Sequence, residues 1–373
     1  MRLLQSGLRL FPQEPKTAVV HIATLVLVGC AIQMVSRRAQ MAKDALTFLD
    51  VNQDQFQPQY LDMNSTLFNT VANARKIPGI LFSNKYALNL TLNWMCNLAA
   101  YNETDRIIVI ALDDVTAATL AEIWPEINVF YWDIPAMKPQ FTIGSGPYQM
   151  FQVLRAKVVS YLTKTGTDIW MLQADTFWGE NLFEQFDVRQ GEDIFFDREG
   201  DDGLARKMIA GGNFYVRANN GAGAFFDEVA LQLMSLYATD NNIMGSLCST
   251  EFNGVSCGEI PFKLVANWRW HLGPKTHIPP LLQFDELGGG KFERMKDKLN
   301  LQFTGDHGIC LPRSRYPKLD LQDLKQYPLP KPLTYHLLRF CHEVFEFIVL
   351  FAPTMEHILR NYIIPYCSYF IVI

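Results

Sequence analysis

The chain has 373 residues, of which 49% are hydrophobic and 19% charged, a balance typical of a folded globular protein rather than a disordered one. Its formal net charge is −5, and no basic run or basic segment interleaved with aromatic residues occurs, so we expect no binding of nucleic acid.

The first predicted element is a membrane span over residues 17 to 36. This stretch contains no charged residue, and twenty helical residues rising about 1.5 Å each cover about 30 Å, the hydrocarbon thickness of a bilayer. We interpret it as an uncleaved signal anchor preceded by a short cytoplasmic tail, residues 1 to 16. A cleaved signal peptide and a buried core helix are the alternatives. Charge does not decide the orientation, because basic residues flank the span on both sides: Arg2, Arg9, Lys16, Arg37, Arg38 and Lys43.

N-glycosylation motifs follow the span at Asn64, Asn89 and Asn102, and their closeness favours a lumenal location for the rest of the chain. The cysteines show no metal-binding spacing such as Cys-x-x-Cys. In an oxidising lumen four of them could form disulfides, in pairings that the sequence leaves open: Cys96, Cys248, Cys257 and Cys310.

Residues 37 to 75 are polar and rich in Gln and Asn, which predicts a stem or linker. From residue 76 onward, short apolar runs alternate with segments of helical period. The predicted strands are 80–83, 107–112, 127–132, 169–172, 193–196 and 208–216, and the predicted helices are 88–100, 116–124, 147–165 and 225–237. This alternation predicts an α/β fold, a mostly parallel sheet flanked by helices and joined by right-handed crossovers.

Three features of the second half are less regular. The strand at 208–216 is entered through Gly211 and Gly212. The acidic loop at residues 197 to 203 resembles a calcium-binding loop only loosely, because Asp202 stands where the tight-turn glycine is needed. Residues 316 to 373 form a proline-containing and then very apolar tail, whose charged residues favour an amphipathic or membrane-surface segment over a span.

The most informative acid stands at a strand end. Residues 169 to 172 are uniformly apolar, as in a strand buried on both faces, and Gln173-Ala174-Asp175 follows at once. In open α/β sheets ligands bind outside the carboxyl ends of strands, so a carboxylate there can hold a divalent cation and, through it, a phosphate. We therefore predict that Asp175 is a metal ligand. Asp113 and Asp114 end the 107–112 strand at the same edge, where capping the next helix is their simpler role.

Two basic residues are candidates for binding a diphosphate. Arg155 lies on the helix before the Asp175 strand, and Lys291 follows three glycines, which let the backbone approach a phosphate closely. A flexible loop is the alternative for these glycines, which do not form a Walker A motif. The motifs of an α/β hydrolase, a zinc protease and a dinucleotide oxidoreductase are absent from the sequence, which argues against those classes.

The order of motifs along the chain resembles the nucleotide-diphospho-sugar transferase family of GT-A glycosyltransferases, which includes plant arabinosyl- and xylosyltransferases of cell-wall synthesis. The motifs are Asn84 after the first strand, Asn93-Trp-Met-Cys-Asn97, Val109-Ile-Ala-Leu-Asp113, Gln173-Ala-Asp-Thr-Phe-Trp178 and Gly211-Gly-Asn-Phe-Tyr-Val-Arg-Ala-Asn219. The resemblance implies a GT-A (Rossmann-like) domain, which we place at residues 76 to 315. It also implies a single-pass type II protein of the Golgi or endoplasmic reticulum membrane, and Mn²⁺ or Mg²⁺ bound through an Asp-x-Asp motif.

The resemblance also implies roles for individual residues. Asp175 would be the metal ligand, and Asp240 would be catalytic, contacting the donor sugar or positioning the acceptor. The nucleotide-sugar donor would contact Asn84, Asp113, Arg155, Gln173, Gly211, Gly212 and Lys291. The chain departs from the family motif at Gln173, which occupies the first acidic position, and the loss of one negative charge should weaken the affinity for a hard cation.

The predicted function is transfer of a sugar from a nucleoside-diphosphate donor to a hydroxyl of a glycan or glycoprotein, with the cation at Asp175 neutralising the leaving diphosphate. Gln173 motivates two alternatives: a non-catalytic binding protein of the same fold, and a metal-independent transferase in which Arg155 and Lys291 replace the cation. The fold does not choose among them, because function depends on the site.

Overall fold

The computed structural model describes residues 15–56, 76–201, 205–273, 275–285, 291–318 and 320–322. Within these residues the strands are β1 Gly79–Ser83, β2 Ile107–Ala111, β3 Asn128–Tyr131, β4 Ile169–Leu172, β5 Thr176–Trp178, β6 Ile194–Arg198, β7 Ile209–Val216, β8 Cys257–Ile260, β9 Val265–Ala266 and β10 Leu281–Gln283. The α-helices are α1 Pro15–Asn52, α2 Leu88–Ala99, α3 Asp114–Ile123, α4 Gly146–Lys164, α5 Leu182–Gln185, α6 Asn220–Ser235, α7 Asp240–Ser249, α8 Trp268–Leu272 and α9 Lys291–Leu299.

The described strands form two sheets. Seven of them make a main sheet in the order β3-β2-β1-β4-β7-β6-β8, and three make a small sheet in the order β5-β10-β9. Strands β1 to β4 are parallel to one another, β7 is antiparallel to both β4 and β6, and β6 and β8 are parallel. The prediction of a mostly parallel sheet with flanking helices is therefore confirmed, with β7 as the one reversed strand of the main sheet as described.

The strand β4 is apolar throughout because it is covered on both faces. Ile169 and Met171 belong to one hydrophobic core, whereas Trp170 and Leu172 belong to the core on the opposite face. All four side chains are at most 2% exposed. Burying each such side chain stabilises the fold by about 1.5–3 kcal/mol. The strand that leads into Asp175 is also the central strand of the main sheet, so its position is firmly fixed.

The predicted helix boundaries lie within two residues of the observed ones, except at the predicted start at residue 225. There the helix α6 begins at Asn220, because the Asn219 side chain accepts a hydrogen bond from the Ala222 N–H at 2.7 Å and caps the helix. The apolar period that predicts this helix starts only at Phe225, whereas the cap signal lies in the preceding turn. The sequence signal for the true start of α6 is an Asn followed by small residues and a glycine.

The first part of the predicted stem is helical in the described residues. Residues 37 to 52 belong to α1, and the helix packs on the domain through Leu49, which is fully buried. Phe56 is 1% exposed, and the ammonium group of Lys157 on α4 lies 4.8 Å from the centre of its ring. A few apolar residues spaced among many polar ones were enough to attach this helix, which explains why composition alone predicted a stem.

The predicted anchor is only partly within the described residues. Its backbone forms part of α1, but most side chains of residues 17 to 36 lie outside the described set. Among the residues that were searched, no helix is both long and apolar enough to cross a membrane. Asn64, the glycine loop before Lys291 and the tail beyond residue 322 also lie outside the described residues.

Two disulfides connect the four cysteines that the sequence offered for pairing. Cys96 on α2 pairs with Cys310, and Cys248 on α7 pairs with Cys257 on β8. The first bond closes a loop of 214 residues and the second a loop of 9 residues. Cross-linking distant residues restricts the unfolded chain more than cross-linking near ones, so the first bond is expected to stabilise the domain more.

Candidate functional site

The carboxyl ends of β1 and β2 are joined by Asp113. Its Oδ1 accepts a hydrogen bond from the Thr116 N–H at 2.8 Å, and its Oδ2 accepts one from the Lys85 N–H at 2.7 Å. Asp113 is therefore the N-cap of α3 and also holds the loop after β1, as the simpler of the two interpretations predicts. Asn84 fixes the same loop, because its Oδ1 accepts hydrogen bonds from the N–H groups of Tyr86 and Ala87.

At the end of β4, Asp175 forms an ion pair with Lys291, the first residue of α9. The Lys291 ammonium nitrogen lies 2.5 Å from Asp175 Oδ2. Burial alone would lower the pKa of Lys291, but the charge and hydrogen bond of Asp175, together with the charge of Asp285, outweigh it, so the pKa is raised. Lys291 is thus a cation at this edge of the sheet, and 34% of its side chain remains exposed.

Three amide side chains meet beside this ion pair. Asn213 Oδ1 accepts the backbone N–H of Gln173 at 3.1 Å, and Asn213 Nδ2 donates to Gln283 Oε1 at 3.1 Å. Gln283 Nε2 in turn donates to Gln173 Oε1 and approaches Asp175 Oδ1 at 3.4 Å. Gln283 reaches the site because β10 pairs antiparallel with β5, directly after Asp175, which places Gln283 opposite Thr176.

Gly211 and Gly212 are required by the close packing of the site. A methyl group at position 212 would lie 2.6 Å from Gln283 Oε1, and one at position 211 would lie 2.9 Å from Asn241 Cβ. Gly211 also has a φ of +73°, a conformation that side-chain-bearing residues rarely adopt. The two glycines therefore let β7 pass between the amide cluster and the start of α7.

On the other side of these glycines, Arg155 binds Asp240. Arg155 donates to Asp240 Oδ2 at 3.2 Å and to the Gly211 carbonyl at 2.8 Å, and its side chain is only 6% exposed. Burial raises the pKa of Asp240, although the Arg155 charge opposes this. The pKa of the nearby Tyr148 is raised by burial and by the Asp240 charge, whereas the charges of Arg155 and Lys291 lower it.

Asp197, which the sequence placed at the start of an acidic loop, is instead a buried residue of β6 that shapes the site. Its two carboxylate oxygens accept the backbone N–H groups of Gly211 at 2.8 Å and Asn213 at 2.9 Å. Burial raises its pKa to about 7, despite these hydrogen bonds. The sequence gave no clear signal that Asp197, at the end of one strand, would contact the backbone of the glycine strand beside it.

Asp285 is a further acid that the sequence did not single out. It is half-buried, and its Oδ1 accepts the Trp268 N–H at 2.9 Å. Burial and the neighbouring charge of Glu199 raise its pKa well above the ordinary value, while the charge of Lys291 opposes this. The charge of Asp175 also raises this pKa.

The side chains around Asp175 do not fit the divalent cation that the sequence predicted. Hard cations such as Mg²⁺ and Mn²⁺ bind to several oxygen ligands, chiefly carboxylates. Here one oxygen of Asp175 faces an ammonium group and the other faces an amide N–H. Among the described residues, no group of three or more His, Cys, Asp and Glu side chains is arranged to hold a metal.

The asparagines of the two described glycosylation motifs are exposed. Asn89 lies exposed on the first turn of α2. Asn102 is exposed in the turn before β2, where its Oδ1 accepts a hydrogen bond from Arg313 at 2.9 Å.

The sheet and the edge at Asp175 define an α/β protein with a polar site outside the carboxyl ends of its strands, the place where such proteins bind nucleotides. The model of the family described as nucleotide-diphospho-sugar transferase matches residues 102–297, more than half of the chain. The chain belongs to this family, as the sequence predicts, and it is a nucleotide-sugar-dependent glycosyltransferase.

Several solved structures are similar to part of the chain. The galactosyltransferase LgtC, in complex with donor and acceptor sugar analogues, is 14% identical, with a TM-score of 0.41 over 56% of this chain and 87% of that one. Mouse xyloside xylosyltransferase 1 is 9% identical, with a TM-score of 0.36 over 56% of this chain and 97% of that one. No curated protein sequence matches the chain.

Proposed function

We propose that the chain transfers a sugar from a nucleoside-diphosphate donor to a hydroxyl of a glycan or glycoprotein, at the edge of the sheet formed by Asp175, the glycine pair of β7 and Lys291. The observation that carries this proposal is the Lys291 ammonium group, held at 2.5 Å by Asp175 outside the carboxyl end of β4. Phosphates bind where a cation and close-lying backbone meet, and this edge offers both.

The reaction breaks the bond between the anomeric carbon of the sugar and the phosphate oxygen, and the electron pair leaves with the diphosphate. A new bond forms between the anomeric carbon and the acceptor oxygen, whose proton is taken up by the departing diphosphate. Negative charge develops on the leaving group, so a cation fixed beside it lowers the barrier. The fixed ion pair at Asp175 supplies such a cation without rearrangement.

Asp240 serves the sugar side of this site. Arg155 and the start of α7 hold its carboxylate, which can accept hydrogen bonds from hydroxyl groups of the donor sugar or the acceptor. Arg155 itself is enclosed by Asp240, the Gly211 carbonyl and the ring of Phe214, so it positions Asp240. The loops fixed by Asn84 and Asp113 lie at the same sheet edge and are available for the nucleoside.

The test is a screen of the purified full-length protein against a panel of nucleotide sugars, with Mn²⁺ and Mg²⁺ both supplied, measuring release of nucleoside diphosphate. We expect turnover of at least one donor and a loss on the order of 100-fold in Asp240→Asn, because a misplaced substrate reacts more slowly. Asp227→Asn is the matched control, since Asp227 lies in an exposed pair with Lys164. Binding of a donor without release of nucleoside diphosphate would support the non-catalytic alternative, and failure of every donor to bind would contradict the proposed function.

We also propose that the protein is anchored in the Golgi or endoplasmic reticulum membrane through residues 17 to 36, with its catalytic domain in the lumen. The two disulfides and the exposed Asn89 and Asn102 support this location, because disulfides and N-glycans form in the secretory pathway. Protease protection in sealed microsomes, combined with glycosidase treatment of Asn89→Gln and Asn102→Gln, tests it. Digestion of the domain in intact microsomes would contradict it.

A further inference from the structure

The amide cluster leaves one hydrogen-bond donor without an acceptor among the described residues. Its orientation is fixed from one side, because the backbone N–H of Gln173 is always a donor and so requires the oxygen of Asn213. Asn213 then presents its nitrogen to Gln283, and Gln283 presents its nitrogen to Gln173 Oε1 and Asp175. The amide oxygens are thus used within the cluster, and no described residue accepts a hydrogen bond from Gln173 Nε2. Donors of this kind attract an anion and repel a cation.

The charge balance of the site points the same way. A pair of carboxylates becomes neutral only after it binds a divalent cation, whereas the single carboxylate of Asp175 is already neutralised by Lys291. The presence of Gln at position 173 removes the second carboxylate. Without a metal, this ion pair therefore has the same net charge as two carboxylates that have bound a divalent cation.

Accessibility identifies which basic residue acts. The Lys291 side chain is 34% exposed, so a phosphate oxygen can approach its ammonium group while Asp175 holds it. Arg155 is only 6% exposed and is occupied by Asp240 and the Gly211 carbonyl. A lysine ammonium group has three donor hydrogens, so it can bind Asp175 and a diphosphate oxygen together.

We infer that this glycosyltransferase binds and releases its diphosphate without a divalent metal: Lys291, held by Asp175, and the side-chain N–H of Gln173 contact the diphosphate in place of the cation. Asp175 is then a positioning residue for Lys291 and does not ligate a metal. This inference rests on the proposed function, since it names what stabilises the leaving group of the same reaction.

The experiment measures binding of UDP, GDP, ADP and CDP to the full-length protein by calorimetry, first after treatment with EDTA and then with excess Mn²⁺. We expect the nucleoside diphosphate that binds to do so equally well under both conditions. Lys291→Met should weaken binding about 10- to 100-fold under both, because a hydrogen bond from a charged group is lost. Lys296→Met is the matched control on the same helix, since Lys296 is exposed and should leave binding unchanged.

Two more variants separate loss of the cation from loss of the fold. Asp175→Asn removes the carboxylate but keeps Lys291, so binding in EDTA should stay within several-fold of the wild-type value. If Asp175 were a metal ligand, the same variant would instead lose the binding of nucleoside diphosphate that depends on Mn²⁺. The double variant Asp175→Asn with Lys291→Met leaves no unpaired charge, so its unfolding transition should be close to that of Asp175→Asn. It should nevertheless bind the nucleoside diphosphate only weakly, because the ammonium group is missing.

The outcomes distinguish this inference from the function on which it rests. Binding that requires Mn²⁺ and disappears in EDTA leaves the proposed function intact and overturns the metal-independent site. Undiminished binding in Lys291→Met overturns the role of Lys291. Absence of binding for all four nucleotides under both conditions overturns the proposed function and, with it, this inference.

Discussion

The buried ion pair between Arg155 and Asp240 offers the sharpest test of how the site is built. Replacing Arg155 with Met keeps a long side chain but leaves the Asp240 carboxylate, 13% exposed, without its counter-charge. The Gly211 carbonyl also loses a hydrogen bond of 2.8 Å. Breaking a buried pair by removing one partner costs about 3–5 kcal/mol, a large part of the total stability of a domain.

The pH dependence of this loss has a definite sign. Burial raises the pKa of Asp240, and removing Arg155 leaves the backbone N–H of Asn241 to oppose it, so the pKa rises further and the folded variant holds its proton to a higher pH. The unfolded chain releases that proton at lower pH, so the variant loses more stability as the pH rises. We therefore expect a greater loss at about pH 8 than at about pH 5.

The assay is urea unfolding followed by tryptophan fluorescence at both pH values. Arg189→Met is the matched control, because Arg189 forms an exposed pair with Asp187 and its removal should change the free energy of unfolding by less than about 1 kcal/mol. In an Asp240→Asn background the loss from Arg155→Met should shrink, since no buried charge is left unpaired. An equal loss in both backgrounds, or a loss as small as that of the control, would show that Arg155 does not stabilise the fold by neutralising Asp240.

Three further predictions concern the frame of the site. Gly212→Ala should lower donor turnover about 10-fold or more at a stability cost of about 1–3 kcal/mol, because its methyl group would displace Gln283, 2.6 Å away; kinetics and urea unfolding measure the two effects. Because burial raises the pKa of Asp197 to about 7, the folded protein holds a proton there that the unfolded chain has released. The free energy of unfolding should therefore fall as the pH rises from about 4 to 7, by an amount on the order of 4 kcal/mol. Unfolding curves of Asp197→Asn should lack this fall. Removing the disulfide between Cys96 and Cys310 should destabilise the domain by about 5 kcal/mol, against about 3 kcal/mol for the disulfide that closes the 9-residue loop, as measured by thermal unfolding of the alanine variants.

Local patterns predicted the sheet and the position of Asp175 because those features depend on neighbouring residues. The apolar run of β4 and the acid after it are visible in a stretch of a few residues, and the structure buries both faces of that strand. The glycine pair in β7 was visible for the same reason, although its purpose, room for Gln283 and Asn241, was not.

The partners of Asp175 could not be predicted because they depend on pairing between distant strands. Gln283 lies 110 residues after Gln173 and reaches it only because β10 pairs antiparallel with β5. Lys291 was predicted to contact a diphosphate, but its ion pair with Asp175 depends on where α9 begins. The metal ligand predicted at Asp175 stays a prediction, and the ion pair with Lys291 is the contact that the local sequence pattern did not indicate.

The most direct test of the account is a crystal structure of the protein with its nucleoside diphosphate, prepared in EDTA. We expect the Lys291 ammonium nitrogen to lie within about 3 Å of a phosphate oxygen while still bound to Asp175, with no cation between them. A diphosphate bound only when Mn²⁺ is restored, with Asp175 coordinating the metal and Lys291 displaced, would contradict it.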